Sequence, residues 1–328
     1  MTSNAYTLVT IFGGSGFLGR HVVRALARRD YRIRVAVRRP DLAGHLQPLG
    51  RVGQIHAVQA NVRYPDSVAA AVRDSNIVIN LVGILSQRGR QRFKSVHVAG
   101  TEAIVRAAAA QGARLIHMSA MPANEKSWSG YARTKGRADK AVLAGVPSAV
   151  IFRPSIVFGP EDNFFNRFAA LARMLPALPL IGGGKTKFQP VFVGDVAEAI
   201  AAAVEGKTKP GAVYELGGPE IFTFKQLLQY ILATIERRRL LVRIPFWIAR
   251  IQALFLQFLP NAPLTPDQVT LLKRDNVVSE QAKREHRTLE GLGIRPTSIG
   301  AIVPTYLWRF RKTGQFRPRH LVVPKSQP

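Results

Sequence analysis

Short, continuous apolar runs alternate with amphipathic segments along the first half of the chain. Because these runs are rich in Val and Ile and contain few polar positions, each is typical of a strand covered on both faces. They predict six strands, at residues 8–12, 33–37, 55–58, 77–82, 115–118 and 149–152. The segments between them predict helices, among them residues 17–29, 65–73, 102–111 and 131–143. This alternation predicts an α/β fold with a doubly wound parallel sheet.

The regular alternation of apolar runs and amphipathic segments ends after Phe152, where stretches rich in Pro and Gly interrupt the chain. Helical patterns return at residues 164–174, 193–204 and 224–236, and residues 176–187 predict a loop. We therefore predict a sheet domain of residues 1–155, to which residues 187–206 return. Residues 156–328 form a smaller C-terminal lobe that completes a substrate-like cleft and offers a docking surface.

A glycine-rich turn follows the first predicted strand and matches the spacing G-x-x-G-x-x-G. The first glycine permits a tight turn, the second lets the backbone approach a pyrophosphate, and the third lets the next helix pack closely. Because the turn opens a helix, free N–H groups meet the phosphates, and a Rossmann-type dinucleotide site is favoured over a turn without a ligand. The residues expected to contact the cofactor here are Gly13, Ser15, Gly16, Phe17, Leu18 and Gly19.

Two arginines, Arg38 and Arg39, follow the second predicted strand, where an NAD-specific site would place an acid on the ribose 2′-hydroxyl. Guanidinium groups at this point can pair with a 2′-phosphate. The pattern favours NADPH as the cofactor; the alternative is a solvated basic strand end.

Tyr131 and Lys135 form a Y-x-x-x-K pattern that places both side chains on one face of a predicted helix. A neighbouring ammonium lowers the pKa of a phenol, so we expect Tyr131 to be a usable proton donor or acceptor beside a nicotinamide. Ser119, 12 residues earlier, is the candidate for orienting a carbonyl group.

With these motifs in place, the chain resembles the extended short-chain dehydrogenase/reductases over about residues 6–235. Residues 153–160, RPSIVFGP, and residues 191–197, VFVGDVA, look like two later segments of that family. The resemblance implies that Asn61 and Val62 flank the adenine. It implies further cofactor contacts at Leu81, Val82, Gly83, Ser119, Tyr131, Lys135, Pro154 and Ile156.

The chain departs from the active members of that family at two places. Asn61 stands where an Asp is usual, which keeps hydrogen bonding to the base and removes a charge. Ser119-Ala120-Met121 leaves Ser119 as the only hydroxyl where the family commonly carries further Ser or Thr residues. The resemblance therefore predicts nucleotide binding and puts catalysis in doubt.

Within the family, the chain resembles the NADPH-binding accessory subunits of respiratory complex I, NADH:ubiquinone oxidoreductase. The segments that carry this resemblance are residues 76–83, 131–135, 161–164, 189–193 and 292–297. It implies a nucleotide held as a structural element near the quinone site, with other complex I subunits as partners. It also implies a peripheral position on the inner, cytoplasmic or matrix, side of the energy-transducing membrane.

The charge of the chain indicates a large anionic partner. Among the 328 residues, 47 Lys and Arg stand against 20 Asp and Glu, a formal net charge of +27. Residues 237–328 hold 17 of these basic residues and only 5 of the acidic ones. Without a nucleic-acid-binding motif, the favoured partner is an anionic membrane surface or an acidic protein surface, and no nucleic acid is expected.

Several chemistries are not expected from the composition. The chain has no Cys, which excludes disulfides, thiolate ligands and Cys nucleophiles. The 7 His residues show no metal-binding spacing, so no metal site is predicted. We also expect neither a signal peptide nor a transmembrane helix.

Residues 246–259 form an almost wholly apolar 14-residue stretch between two prolines. As a helix of about 21 Å it is too short for a hydrocarbon layer of about 30 Å. Four arginines precede it in the chain, namely Arg237, Arg238, Arg239 and Arg243. They favour contact of this helix with anionic lipid or with a protein groove. The alternative is a core helix of the lobe.

Three functions stay open at this stage. The first is a non-catalytic, NADPH-loaded accessory subunit of complex I. The second is a soluble NADPH-dependent reductase or epimerase that uses Tyr131 and Lys135. The third is a redox-sensing module in which nucleotide occupancy controls partner affinity.

Overall fold

The computed structural model describes residues 4–257 and 264–314. Its strands, in chain order, are β1 (Leu8–Phe12), β2 (Arg32–Val37), β3 (Ile55–Gln59), β4 (Ile77–Asn80), β5 (Arg114–Met118), β6 (Val150–Pro154), β7 (Val157–Phe158), β8 (Ala177–Ile181), β9 (Lys187–Phe188), β10 (Val191–Phe192), β11 (Val213–Leu216), β12 (Phe222–Thr223) and β13 (Leu240–Ile244). Seven of them form one parallel sheet in the order β11-β6-β5-β4-β1-β2-β3. The strand order reverses between β1 and β4, and folds of this type bind ligands at that switch point.

The α-helices of the same residues surround this sheet and build the lobe beside it. They are α1 (Phe17–Ala27), α2 (Pro65–Val72), α3 (Gly100–Ala110), α4 (Gly130–Gly145), α5 (Phe165–Met174), α6 (Val193–Val204), α7 (Phe224–Thr234), α8 (Phe246–Leu256), α9 (Pro266–Leu271), α10 (Glu280–Arg284), α11 (Ile299–Ile302) and α12 (Pro304–Leu307). A π-helical turn, Lys94–Ala99, leads into α3, and a 3-10 helix, Pro40–Leu49, follows β2. No helix within residues 4–257 and 264–314 combines the length and the apolar character needed to cross a membrane.

Helices cover both faces of the sheet. On one face α1 and α6 pack together and bury Leu26 and Ile200. On the other face α2, α3 and α4 bury Val68, Ile104 and Val142. Because strands in this position meet apolar layers on both sides, they need continuous apolar runs, and β1 is buried along its whole length. The predicted doubly wound parallel sheet is confirmed.

Seven strands, β7 to β13, lie where the pattern predicted none, and β11 and β8 show why. β11 is a seventh strand at the edge of the sheet, where it pairs with β6. β8 lies inside the predicted loop of residues 176–187 and pairs with β13. In both cases the partner strand is roughly 60 residues away in the chain. A short strand of this kind is stabilised by its distant partner and therefore leaves little local signal.

The C-terminal lobe has a core of its own, rich in Phe, between α5, α7, α11 and α12. Phe165 and Phe224 lie at its centre, and further Phe rings surround them edge to face. A third and much smaller apolar cluster joins α8 to α9. Its buried members are Ile181, Ala249, Ala253 and Val269.

The apolar stretch of residues 246–259 is helical only in part of its predicted length, since α8 ends at Leu256 and residues 258 and 259 lie outside the described residues. The helix buries only Ala249 and Ala253. The face that remains exposed is therefore much larger than a core helix would leave.

Candidate nucleotide-binding site

The glycine turn between β1 and α1 requires glycine at positions 13 and 19, for two different reasons. Gly13 has a φ of +82°, which a side chain would strain. Gly16 caps α1 with extended backbone and donates its N–H to the carbonyl oxygen of Gly13 at 3.1 Å. A Cβ on Gly19 would lie 2.3 Å from that same oxygen. Only glycine at position 19 lets the helix start this close to the turn.

A cleft of about 400 Å³ opens beside this turn, at the carboxyl ends of β1 to β4. Twelve of the predicted cofactor residues line it, namely Gly13, Ser15, Gly16, Phe17, Leu18, Gly19, Arg38, Asn61, Val62, Leu81, Val82 and Gly83. Sequence reasoning missed further lining residues, among them Arg63, Ile84, Gln91 and Val96. Among the described residues that line it, two carry a guanidinium group and none carries a carboxylate. Its electrostatics therefore suit an anionic ligand.

Arg38 and Arg39 have different surroundings. Arg38 lines the cleft. Arg39 lies outside the lining, on the exposed surface, and its guanidinium pairs with the Asp41 carboxylate at 2.6 Å. This pair raises the pKa of Arg39 and lowers that of Asp41. Arg38 is thus the better placed of the two for a phosphate in the cleft.

Lys135 lies one helical turn after Tyr131 on α4 and reaches the edge of the cleft. Its Nζ is buried and donates to the carbonyl oxygen of Met118 at 2.9 Å. The same atom is 3.4 Å from the point that a Cβ on Gly83 would occupy. Burial lowers the pKa of Lys135 to about 8, because the charged form loses hydration.

Tyr131 does not have the lowered pKa that its spacing from Lys135 predicted. Burial raises the pKa of the phenol strongly, and the carboxylates of Asp267 and Asp139 raise it further. The expectation was wrong because burial and the two carboxylates, which the spacing does not report, decide the direction of the shift. The neutral phenol is therefore the stable form over the ordinary pH range.

His97 is a site residue that sequence reasoning missed. Its Nε2 accepts the N–H of Ile84 at 3.0 Å, and its Nδ1 bonds to the hydroxyl of Thr134 at 3.1 Å. Its ring lies edge to face with Tyr131, at 5.5 Å between centroids. Burial, with Lys135 nearby, lowers the pKa of His97 to about 3. A neutral His97 thus ties the loop after β4 to α4, a role that a lone histidine in the sequence does not indicate.

Ser119 is placed away from the lining of the cleft. It is buried beside Asp139, where burial raises the pKa of the carboxyl and the Ser119 hydroxyl opposes part of that shift. Arg153 also approaches that carboxyl, with Nε and Nη2 donating to Oδ2 at 2.9 and 2.8 Å. Ser119 therefore belongs to a buried polar group that links β5, α4 and β6.

Pro154 and Ile156, at the end of β6, also lie outside the lining of the cleft, as do Tyr131 and Lys135. The structure thus separates the predicted cofactor residues into two groups. One group builds the glycine-turn cleft, and the other, which lies outside its lining, consists of Arg39, Ser119, Tyr131, Lys135, Pro154 and Ile156.

The sheet order and the glycine turn define a nucleotide-binding α/β protein, and comparison with known proteins gives its family. Residues 9–217 match the NAD dependent epimerase/dehydratase family, and the chain belongs to that family. A solved dTDP-glucose 4,6-dehydratase from Streptomyces venezuelae with NAD and TYD bound matches with a TM-score of 0.69 at 19% identity. That match covers 93% of this chain and 96% of the other, and it shows the same fold.

Two relatives of this chain have different assigned functions, one as a respiratory-complex subunit and one as a reductase. The mitochondrial NADH dehydrogenase (ubiquinone) 1 alpha subcomplex subunit 9 of Arabidopsis thaliana is 34% identical over 320 residues, 94% of this chain and 79% of the relative. A ceramide reductase of Caulobacter vibrioides is 34% identical over 202 residues, 62% of each chain. The predicted resemblance to complex I subunits is confirmed by the first, which extends through the C-terminal lobe.

Proposed function

We propose that this protein is a non-catalytic accessory subunit of respiratory complex I that holds NADPH as a structural element. The observation that carries the proposal is the contrast between two parts of the site. The glycine-turn cleft has a glycine at each position of the turn where the backbone comes close to a neighbouring segment. The residues expected to transfer a proton lie apart from it, because Tyr131, Lys135 and Ser119 are outside its lining and Ser119 is buried beside Asp139.

The choice of NADPH rests on the charge of the cleft. Arg38 and Arg63 line it without a carboxylate, and Arg38 follows β2, where the adenosine ribose lies in folds of this type. A 2′-phosphate gives Arg38 an anionic partner, whereas the 2′-hydroxyl of NADH does not. In the bound state, the cofactor's contribution is to fill the cleft and order the loops around it.

Replacing Arg38 with Asp should therefore weaken NADPH binding far more than NADH binding. Loss of a hydrogen bond to a charged group corresponds to roughly 10- to 100-fold in affinity for NADPH. Calorimetric titration of both nucleotides measures the difference. The control is Arg51→Asp, because Arg51 is exposed, lies outside the cleft lining and pairs with Asp30. An equal loss for NADPH and NADH would contradict the assignment of Arg38 to the 2′-phosphate.

The docking surface in this proposal is the exposed side of α8. Trp247, Ile251, Leu254 and Phe255 are between 48% and 74% exposed, although all four are large apolar side chains. The charge next to this face favours an anionic lipid surface as the occupant. The cations are Arg250 on the helix itself and, in the residues that precede it along the chain, Arg237, Arg238, Arg239 and Arg243.

These arginines do not all keep free guanidinium groups. The Nε of Arg237 donates to the carbonyl oxygen of Phe310, and the Nε of Arg239 donates to that of Ala172. Both keep their positive charge, since a carbonyl group does not neutralise it.

We place the lobe on the inner side of the energy-transducing membrane, near the junction of the quinone site and the membrane arm.

Gentle solubilisation of native membranes, followed by separation of intact complexes by size, tests the proposal. We expect the chain to co-migrate with NADH:quinone oxidoreductase activity and to carry one NADPH per chain in the same fraction. Recovery only as a small soluble species would contradict the proposal.

The second candidate is an NADPH-dependent reductase of the same family. It is favoured by the position of Lys135 at the cleft edge next to Gly83 and by the similarity to a ceramide reductase. In that case the small soluble species should oxidise NADPH with a carbonyl substrate, and the chain should be absent from complex I.

A further inference from the structure

The start of α4 is capped by a carboxylate from the C-terminal lobe. Asp267, in the first turn of α9, accepts the N–H of Gly130 through Oδ1 at 2.6 Å. The N–H of Tyr131 points at both carboxylate oxygens, at 3.4 and 3.3 Å. The hydroxyl of Ser129 donates to Oδ2 at 2.9 Å. A single side chain thus meets three donors of one helix start.

These contacts supply what α4 lacks by itself. The first N–H groups of a helix have no partner within the helix. Ser129 accepts only the N–H of Ala132, at 3.1 Å, so Gly130 and Tyr131 depend on Asp267. The negative charge is also favourable at the positive end of the helix dipole. Asp267 therefore fixes the segment that carries Tyr131 and, one turn later, Lys135 at the edge of the cleft.

The helix that delivers Asp267 packs on the proposed docking helix. α9 contacts α8 through the small cluster in which Ala249, Ala253 and Val269 are buried. The opposite side of α8 holds the exposed Trp247 and Phe255. Because few apolar residues are buried here, we expect the α8–α9 layer to be held less firmly than the main core, and the contacts of Asp267 tie it to α4.

We propose that Asp267 is a positioning residue that couples the two proposed binding events, so that NADPH in the cleft and an anionic lipid surface on α8 strengthen each other. Lipid that holds the exposed face of α8 restricts the α8–α9 layer and keeps Asp267 against α4. When α4 is already ordered, Lys135 can bind the nucleotide without a further loss of conformational entropy. This inference rests on the proposed function, since it needs both the nucleotide and the lipid surface.

The experiment measures both affinities in the full-length protein. NADPH binding is titrated with and without vesicles of phosphatidylcholine and phosphatidylglycerol, and vesicle binding is titrated with and without NADPH. Vesicles of phosphatidylcholine alone control for charge. We expect each ligand to raise the affinity for the other by the same factor, roughly fivefold or more, because binding linkage is reciprocal.

The variant Asp267→Asn should retain both binding events and lose the coupling, leaving each affinity unchanged by the other ligand. Glu280→Gln is the matched control: it removes the same charge at the start of α10, also in the lobe, and should keep the coupling. Amide hydrogen exchange of Gly130 and Tyr131 in the wild-type protein does not depend on how well a variant folds. It should slow when vesicles bind.

Four outcomes would overturn the inference. If wild-type protein binds NADPH and vesicles independently, the sites are not coupled, although the proposed function stands. If Asp267→Asn keeps the coupling, or if exchange at Gly130 and Tyr131 ignores vesicles, the coupling does not pass through Asp267. If the chain binds no anionic vesicles, the lipid docking surface of the proposed function fails together with the inference.

Discussion

Replacing Gly19 with Ala should lower the affinity for NADPH by at least about 100-fold, which corresponds to about 2.7 kcal/mol. The added Cβ would lie 2.3 Å from the carbonyl oxygen of Gly13 and 2.5 Å from the Cα of Gly14. Both are backbone atoms of the turn, so relief requires the turn itself to move. Since the turn presents the N–H groups for the pyrophosphate, the cleft loses its main anion-binding element.

The same substitution should destabilise the fold by about 1–3 kcal/mol, the usual cost of overpacking. Titration calorimetry and denaturant unfolding measure the two effects separately. Gly44→Ala is the matched control, because a Cβ on Gly44 would meet no atom within 4 Å. A Gly19→Ala protein that binds NADPH as well as the Gly44→Ala control would contradict our assignment of the turn.

Replacing Arg153 with Met should lower the free energy of unfolding by roughly 3–5 kcal/mol, since it leaves a buried carboxylate without its cation. Asp139 is only 3% exposed, and both hydrogen bonds from Arg153 go to its Oδ2. The control is Arg51→Met, which breaks an exposed pair with Asp30 and should cost less than about 1 kcal/mol. Urea unfolding of the two variants gives the comparison.

The pH dependence identifies the cause of this loss. Burial already raises the pKa of Asp139, and removal of Arg153 removes the main charge that opposes this shift. The folded variant then binds a proton at a higher pH than the unfolded chain does. The loss of unfolding free energy relative to the wild type should therefore become smaller on acidification and larger as the pH rises. Adding Asp139→Asn to Arg153→Met should recover most of the stability; no recovery would contradict the buried-charge explanation.

The elements that the sequence predicted well are those specified by neighbouring residues. Strand β1 and helix α6 have the predicted bounds, because continuous apolar runs and a helical apolar period are local properties. The glycine turn is local in the same sense at Gly16 and Gly19, since the nearest atoms that a Cβ there would meet belong to Gly13 and Gly14. Strands β8 and β11 were missed because each depends on a partner far along the chain.

The sequence predicted the chemistry of the site much less well than the fold. A spacing of four residues correctly placed Tyr131 and Lys135 on one helix, yet the direction of the phenol pKa depended on burial and on Asp267, 136 residues away. His97 and Thr134 meet across two helical segments, and no pattern in the sequence connects them. Ser119 lies beside Asp139 only because β5 and α4 pack together.

The sequence by itself thus determined the doubly wound sheet, the glycine turn and the basic character of the C-terminal part. Hydrophobic periodicity and backbone freedom at glycine act over a few residues, so they can be recognised before folding. The tertiary structure decided which groups are buried together, and with them the state of Tyr131, the salt bridge between Asp139 and Arg153, and the cap that Asp267 places on α4. Desolvation and long-range contacts are properties of the packed chain, because they depend on which distant elements exclude water from one another.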